Sequence, residues 1–197
     1  MRILLALATV AFLNTPALAD GDPAAGAKKA ETCLGCHGIA NYDNAYPTYN
    51  VPKLGGQHVQ YLTDALKGYQ NGTRAHDTMH AQAATLSDQD IADIAAYFSS
   101  LGAADAQPAA AAPAGPEKVA TCASCHGPSG VSSVPMYPIL AGQYQSYLLH
   151  ALQAYKTGSR SNAVMATFAG QLSDQDIKQL ATWFARQQGP LQVLPRE

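Results

Sequence analysis

A five-residue pattern, Cys-x-x-Cys-His, occurs twice in this 197-residue chain and constrains its fold more than any other feature. The first copy reads CLGCH at residues 33–37, and the second reads CASCH at residues 122–126. Together they contain all 4 cysteines of the chain, so no cysteine is left for another role. A pattern that recurs with the complete cysteine set predicts two similar modules in tandem.

Two thiols separated by two residues and followed by a histidine match the covalent attachment of a c-type haem. Cys33 and Cys36 would bond the vinyl groups of one porphyrin, and Cys122 and Cys125 those of a second. The histidine after each pair supplies one axial bond to iron. A thioredoxin-type disulfide would need a βαβ setting, which the sequence does not indicate. Zinc knuckles usually lie within tens of residues of each other, whereas these pairs are 89 residues apart, so the pattern favours haem.

The second half of the chain repeats the first at an offset of 86 residues. LGGQ at 54–57 aligns with LAGQ at 140–143, GTR at 72–74 with GSR at 158–160, and LSDQDI recurs at 86–91 and 172–177. Because the Cys-x-x-Cys-His motifs are 89 residues apart, the second copy lacks three residues between its motif and Pro138. We therefore predict domains at 20–101 and 116–197, joined by an Ala/Pro-rich linker at 102–115.

Hydrophobic periodicity predicts an all-α fold with three main helices in each domain. The first helix starts at Asp22-Pro23 or at Pro116 and runs into the haem motif. The middle helices span residues 57–69 and 143–155, with apolar residues at spacings of three and four. The last helices begin at Ser87 and Ser173, each followed three residues later by an aspartate, which approximates a capping box. No stretch alternates as a half-buried strand would.

The first 19 residues have the features of a cleavable signal peptide. A basic start at Arg2 precedes an apolar run at residues 3–13, and Ala-Leu-Ala at 17–19 is a typical cleavage pattern. The apolar run is shorter than the ~20 residues that span a bilayer, which disfavours an uncleaved anchor. We expect a mature chain that starts at Asp20 in the periplasm. The formal charge of −2, without a basic run, argues against nucleic-acid binding.

These motifs resemble a known family. A helix ending in Cys-x-x-Cys-His, a Pro-x-Leu-x-Gly-Gln segment, a methionine some forty residues further on and a closing amphipathic helix are similar to a class I cytochrome c domain. Two such domains after a signal peptide resemble the dihaem cytochrome c4 family. The resemblance covers the mature chain except its linker and C-terminal tail. It implies two tandem cytochrome c-like domains, each folded around one covalently bound haem c.

The resemblance also implies the axial ligands, which are His37 and Met79 for the first haem and His126 and Met165 for the second. Met79 follows His37 by 42 residues and Met165 follows His126 by 39, which is the same three-residue difference. Met136 has no counterpart in the first copy, and we expect it to pack in the core.

Four further histidines, namely His58, His76, His80 and His150, have no repeated counterpart. We expect them to be solvated or hydrogen-bonded rather than ligands, although His80 adjoins Met79 and remains the strongest alternative.

Repeated polar and small residues suggest supporting roles around the haems. In this family a proline carbonyl orients the axial histidine, which implies Pro52 and Pro138. Two glutamines and two arginines recur at equivalent positions and would either contact the haem propionates or serve as caps and surface groups: Gln57, Gln143, Arg74 and Arg160. Two glycines would either let the backbone pass close to the porphyrin or form a plain turn: Gly56 and Gly142.

A haem with both axial positions filled by protein has no open site for substrate, so we predict an electron carrier rather than an enzyme. The expected partners are a quinol–cytochrome c oxidoreductase as donor and a terminal oxidase or reductase as acceptor, with peripheral association with membrane complexes. One alternative is the cytochrome subunit of a complex such as flavocytochrome c sulfide dehydrogenase. Another is a peroxidase or thiosulfate-oxidising enzyme, which requires one haem to lose its methionine ligand or to exchange it for another ligand.

Overall fold

The structure is a computed structural model that describes residues 20–102 and 114–193. The expected signal peptide and most of the expected linker lie outside the described residues. In the described part, the regular secondary structure consists of helices and one short hairpin, and loops connect these elements. The helices agree with the periodicity of the sequence.

The first copy of the repeat contains five helices and a two-stranded hairpin. Its helices are α1 Pro23–Lys29, α2 Glu31–His37, α3 Val59–Gln70, α4 Asp77–Ala83 and α5 Asp88–Ser100. Strands β1 Asp43–Asn44 and β2 Tyr49–Asn50 pair antiparallel, with Asp43 opposite Asn50. The second copy contains α6 Val119–His126, α7 Gln145–Thr157, α8 Ala163–Gly170 and α9 Asp174–Ala185.

The observed helices differ from the predicted ones in three ways. The first predicted helix is divided into α1 and α2 at Ala30, whose φ of −84° and ψ of 0° leave the α-helical region. The helix of the second copy begins at Val119, three residues after Pro116. The short helices α4 and α8 were not predicted, because a helix of seven or eight residues shows too little periodicity to be recognised.

Each copy has its own hydrophobic core, built on its last helix. In α5 the side chains of Ile91, Ile94 and Phe98 are at most 2% exposed, and in α9 Ile177 and Leu180 are 1% exposed. These residues recur every three or four positions, so they form one face that packs against the middle helix of the same copy.

The first helix crosses the last one at very short range in the first copy. A Cβ atom built on Gly26 would lie 2.0 Å from the carbonyl oxygen of Asp93, so only glycine allows this crossing. Lys29 at the end of α1 then bonds Asp90 at 2.7 Å and Asp93 at 2.5 Å. The contact therefore combines close backbone packing with an ion-pair cluster.

The second copy has an equivalent ion pair between Lys118 and Asp176, whose atoms are 2.8 Å apart. The hydrogen bond from Lys118 and those from Ser173 lower the pKa of Asp176 to about 2. Because this folded-state pKa lies below the unfolded value, the pair stabilises the fold at neutral pH. That contribution is lost as the pH falls from about 4 towards 2.

Capping boxes fix the start of both last helices, as predicted. The Ser87 side chain accepts from the Asp90 amide, and the Asp90 carboxylate accepts from the Ser87 amide. We expect Ser87→Ala to lower the free energy of unfolding by about 1 kcal/mol, because the Asp90 amide at the start of α5 loses the hydroxyl that accepts its hydrogen bond. Guanidinium unfolding followed by far-UV circular dichroism measures this change.

Ser100→Ala, at the exposed end of the same helix, is the matched control, since its hydroxyl only bonds the Tyr97 carbonyl. We expect that control to change stability by less than about 0.5 kcal/mol. Equal losses in the two variants would contradict a specific role for the capping box.

Candidate haem sites and the interface between the domains

The two Cys-x-x-Cys-His motifs occupy the last turns of α2 and α6. All four cysteines are free thiols and half-buried. Cys33 packs against the core of the first copy and Cys122 against that of the second. Burial raises the pKa of both of these thiols. Each motif thus lies between the hydrophobic core of its copy and the surface, where a porphyrin could be attached to both sulfurs.

The motif histidines have one ring nitrogen fixed and the other left for a metal. His37 Nδ1 lies 2.8 Å from the Pro52 carbonyl oxygen, and His126 Nδ1 lies 3.0 Å from that of Pro138. Because a carbonyl can only accept, Nδ1 must carry the proton, and Nε2 keeps its lone pair. Burial lowers the pKa of both histidines, which favours the neutral ring that binds iron. The donor set therefore fits a haem in each copy.

The candidate methionine ligands lie on the two short helices. The Met79 amide on α4 donates to His76 Nδ1 at 3.3 Å, and the Met165 amide on α8 donates to Asn162 Oδ1 at 3.0 Å. His76 and Asn162 are equivalent N-caps, so the two copies hold their methionine backbones in the same way. Met136 is 58% exposed, so the expectation that it packs in the core was wrong.

The remaining non-repeated histidines have protein partners. His58 Nε2 lies 2.9 Å from the Ser132 carbonyl oxygen, and His80 Nδ1 lies 2.8 Å from that of Tyr69. The ring of His150 stacks on that of Tyr49, with centroids 3.9 Å apart. These contacts give His58, His80 and His150 structural roles in this conformation.

The repeated arginines lie where the two copies meet. Arg74 Nη2 donates to the Tyr147 hydroxyl at 3.0 Å, and Arg160 Nη2 donates to the Tyr61 hydroxyl at 2.7 Å. The adjoining backbones also pair, because the Ala75 amide bonds Ser159 and the Ser161 amide bonds Thr73. These two bonds measure 3.0 and 2.7 Å. Equivalent residues exchange equivalent bonds, so the interface has an approximate two-fold axis.

This interface carries buried positive charge that fits an anionic group. Within residues 20–102 and 114–193, neither Arg74 nor Arg160 forms an ion pair with a carboxylate. Burial raises the pKa of the Tyr61 hydroxyl, yet Arg160 and Arg74 together lower it to about 7. A haem carries two propionates, and such groups would neutralise these guanidiniums. The residues present therefore fit haems whose propionates reach the interface.

The three extra residues of the first copy belong to a segment that contacts the second copy. The Asn50 amide donates to Ser146 Oγ at 2.9 Å, and Ser146 Oγ donates to Asn50 Oδ1 at 2.6 Å. The Asn41 amide also bonds the Tyr144 hydroxyl at 2.9 Å. The repeat alignment places the three-residue length difference in this region, but no sequence pattern predicts that the segment contacts the other domain.

The cytochrome c family model matches residues 23–102 and 113–187. Cytochrome c4 from Pseudomonas aeruginosa is 36% identical over 197 residues, covering 92% of this chain and 96% of that protein. The chain belongs to the dihaem cytochrome c4 family. The crystal structure of cytochrome c4 from Pseudomonas stutzeri superposes with a TM-score of 0.67 at 31% identity, covering 85% of this chain and 99% of that one.

A second kind of relative is the thiosulfate dehydrogenase electron acceptor of Thiomonas intermedia (strain K12). It is 34% identical over 203 residues, which cover 95% of this chain and 92% of that protein.

Membership of the cytochrome c4 family confirms the predicted fold class and cofactors. The protein has two tandem cytochrome c-like domains, carries two covalently bound haem c groups and transfers electrons rather than acting as an enzyme by itself. None of the helices in the described part of the chain is long and apolar enough to cross a membrane.

The weak methionine-to-ferric-iron absorption band at the red end of the spectrum should receive a contribution from each haem. We expect Met79→Ala and Met165→Ala each to remove the contribution of one haem, because each variant would leave one iron without its thioether ligand. Each variant should also bind carbon monoxide promptly when reduced. Met136→Ala is the matched control, and it should keep the full band because that side chain is exposed. An unchanged band in either ligand variant would refute its assignment.

Proposed function

We propose that this protein is a periplasmic electron carrier that passes electrons from a quinol–cytochrome c oxidoreductase to a terminal oxidase or reductase. The observation that carries this proposal is the orientation of His37 and His126, each held at Nδ1 by a proline carbonyl with Nε2 left for iron. Two such sites in one chain suit one-electron transfer between neighbouring haems and external partners.

The proposed attachment residues are Cys33 and Cys36 in the first domain and Cys122 and Cys125 in the second. The proposed axial pairs are His37 with Met79 and His126 with Met165. When bound, each haem supplies a one-electron iron couple. The protein's own residues would bind the iron through these histidines and methionines, would thereby exclude substrate from the metal, and would offer Arg74 and Arg160 to the propionates.

The proposed ligand set favours a high reduction potential. A thioether stabilises ferrous iron relative to a second imidazole, and burial disfavours the net positive charge of ferric haem. Both effects suit a carrier on the oxidising side of a respiratory chain. An optical redox titration tests this directly, because two reversible one-electron steps with an intact methionine band support a carrier. Carbon monoxide binding to the reduced unmodified protein would contradict it.

The domain limits and the location belong to the same proposal. The expected limits of 20–101 and 116–197 are supported by the family matches at 23–102 and 113–187. The periplasmic location is supported by the signal-peptide features of residues 1–19 in the sequence.

A second candidate function is the cytochrome subunit of a periplasmic oxidoreductase complex, of which flavocytochrome c sulfide dehydrogenase is an example. The observation that favours it is the similarity to the thiosulfate dehydrogenase electron acceptor of Thiomonas intermedia. Purification of the native protein distinguishes the two functions. A stoichiometric complex with a flavoprotein or another dehydrogenase would support the subunit, whereas a free protein supports the carrier.

The two halves of the chain differ in charge, which suggests electrostatic steering of partners. Residues 20–106 contain 5 Lys or Arg and 10 Asp or Glu, for a net −5, whereas residues 107–197 contain 6 and 4, for a net +2. We expect oxidation of the reduced protein by membranes of the source organism to slow markedly as ionic strength rises. Reduction by a neutral hydroquinone is the control and should change little. If the rate of oxidation by the membranes does not change with ionic strength, the proposal of electrostatic steering is wrong.

A further inference from the structure

Two buried glutamines, Gln57 and Gln143, connect the domains. Each one hydrogen-bonds the backbone of a single residue in the other domain. Gln57 Oε1 accepts from the Ile139 amide at 2.9 Å, and Gln57 Nε2 donates to the Ile139 carbonyl at 3.0 Å. Gln143 makes the same pair of bonds with Lys53, both at 3.0 Å. Each glutamine is 4% exposed, so water does not compete for these bonds.

The residues that the glutamines bond, Ile139 and Lys53, directly follow the prolines whose carbonyls orient the motif histidines. The Ile139 amide and the Pro138 carbonyl belong to one peptide group, and that carbonyl accepts from His126 Nδ1. The Lys53 amide and the Pro52 carbonyl likewise form one peptide group, and that carbonyl accepts from His37 Nδ1. Each proline peptide is therefore hydrogen-bonded at both ends, to a histidine of its own domain and to a glutamine of the other.

Each glutamine oxygen is also fixed within its own domain. The His58 amide donates to Gln57 Oε1 at 3.1 Å, and the Tyr144 amide donates to Gln143 Oε1 at 3.0 Å. Because each side-chain amide makes three hydrogen bonds, it has one orientation. Its oxygen faces the N–H of the bonded residue in the other domain, and its nitrogen faces the carbonyl of that residue. The two arrangements are equivalent, because all the residues involved are related by the 86-residue offset.

When the N–H of a peptide group donates a hydrogen bond, the carbonyl oxygen of the same peptide group becomes more negative, because hydrogen bonds in a chain polarise one another. A more negative carbonyl binds the Nδ1–H of the histidine more strongly, and the ring then becomes a stronger electron donor at Nε2. A stronger donor stabilises ferric iron and so lowers the reduction potential.

We infer that Gln57 and Gln143 are positioning residues that act across the domain interface. Gln57 of the first domain orients and polarises the peptide behind His126, and so sets part of the reduction potential of the second haem. Gln143 of the second domain does the same for the first haem through the peptide behind His37. This inference rests on the proposed ligation by His37 and His126.

The test uses full-length holoprotein carrying Gln57→Leu or Gln143→Leu. The two potentials are measured by spectroelectrochemistry, with each haem assigned by NMR. The inference expects a crosswise pattern, in which Gln57→Leu raises mainly the potential of the second haem and Gln143→Leu mainly that of the first. In the reduced state, the Nδ1–H resonance of the affected axial histidine should shift upfield as its hydrogen bond weakens.

Ser146→Ala is the matched control, because it removes two hydrogen bonds across the interface but touches neither proline peptide. It should leave the difference between the two potentials unchanged. Gln57→Glu keeps an acceptor for the Ile139 amide, so the second haem should stay at or below its original potential. The inference is overturned if Gln57→Leu changes mainly the potential of the first haem, changes both potentials equally, or changes neither.

Hydrogen exchange in the unmodified holoprotein gives a test that does not depend on the variants folding. The amides of Ile139 and Lys53 should exchange slowly, and exchange at the rate of an exposed loop would overturn the inference. These outcomes are distinct from failure of the proposed function. An absent crosswise pattern with intact six-coordinate haems contradicts only the inference, whereas a five-coordinate spectrum in the unmodified protein contradicts the proposed ligation.

Discussion

The hydrogen bond from a buried imidazole to a proline carbonyl is the interaction on which both haem sites depend. It fixes the tautomer of His37 and His126, so that Nε2 is left unprotonated for the proposed bond to iron. Burial lowers the pKa of both histidines and so favours the neutral ring. It also ties each site to the domain interface, because the residue after each proline is bonded by the other domain. The geometry of one site thus depends on the presence of the other domain.

The interface combines an approximate two-fold arrangement with contacts that have no symmetric counterpart. The symmetric part contains equivalent glutamines, arginines and tyrosines. Its two guanidiniums, of Arg74 and Arg160, bond tyrosine hydroxyls and form no ion pair with a carboxylate among the described residues. One such contact is made by the segment around Asn50, which is three residues longer in the first copy and bonds Ser146. Since the second copy is three residues shorter here and forms no such hairpin within the described residues, this contact runs in one direction only.

Residues close together in the sequence were the ones whose roles could be predicted. The cysteine–histidine motifs, the amphipathic faces of α5 and α9 and their capping boxes depend on local spacing, which can be read directly. The helices that carry the methionines were missed because they are short. The exposure of Met136 was missed because an apolar residue in a loop gives no periodic signal. The partners of Gln57 and Arg74 lie 82 and 73 residues away, so no local pattern indicates them.

The sequence by itself determined that this protein has two similar helical domains, each with a haem-attachment motif, because covalent attachment requires two thiols and a histidine at fixed spacing. It also singled out the repeated glutamines and arginines, but left their role open between contacts to the haem propionates and capping or surface positions. Only the tertiary structure decided that these residues join the domains and that the glutamines reach the proline peptides behind the motif histidines. The physical reason is that a buried amide or guanidinium must find its hydrogen-bond partners in three dimensions, and here those partners belong to the other copy of the repeat.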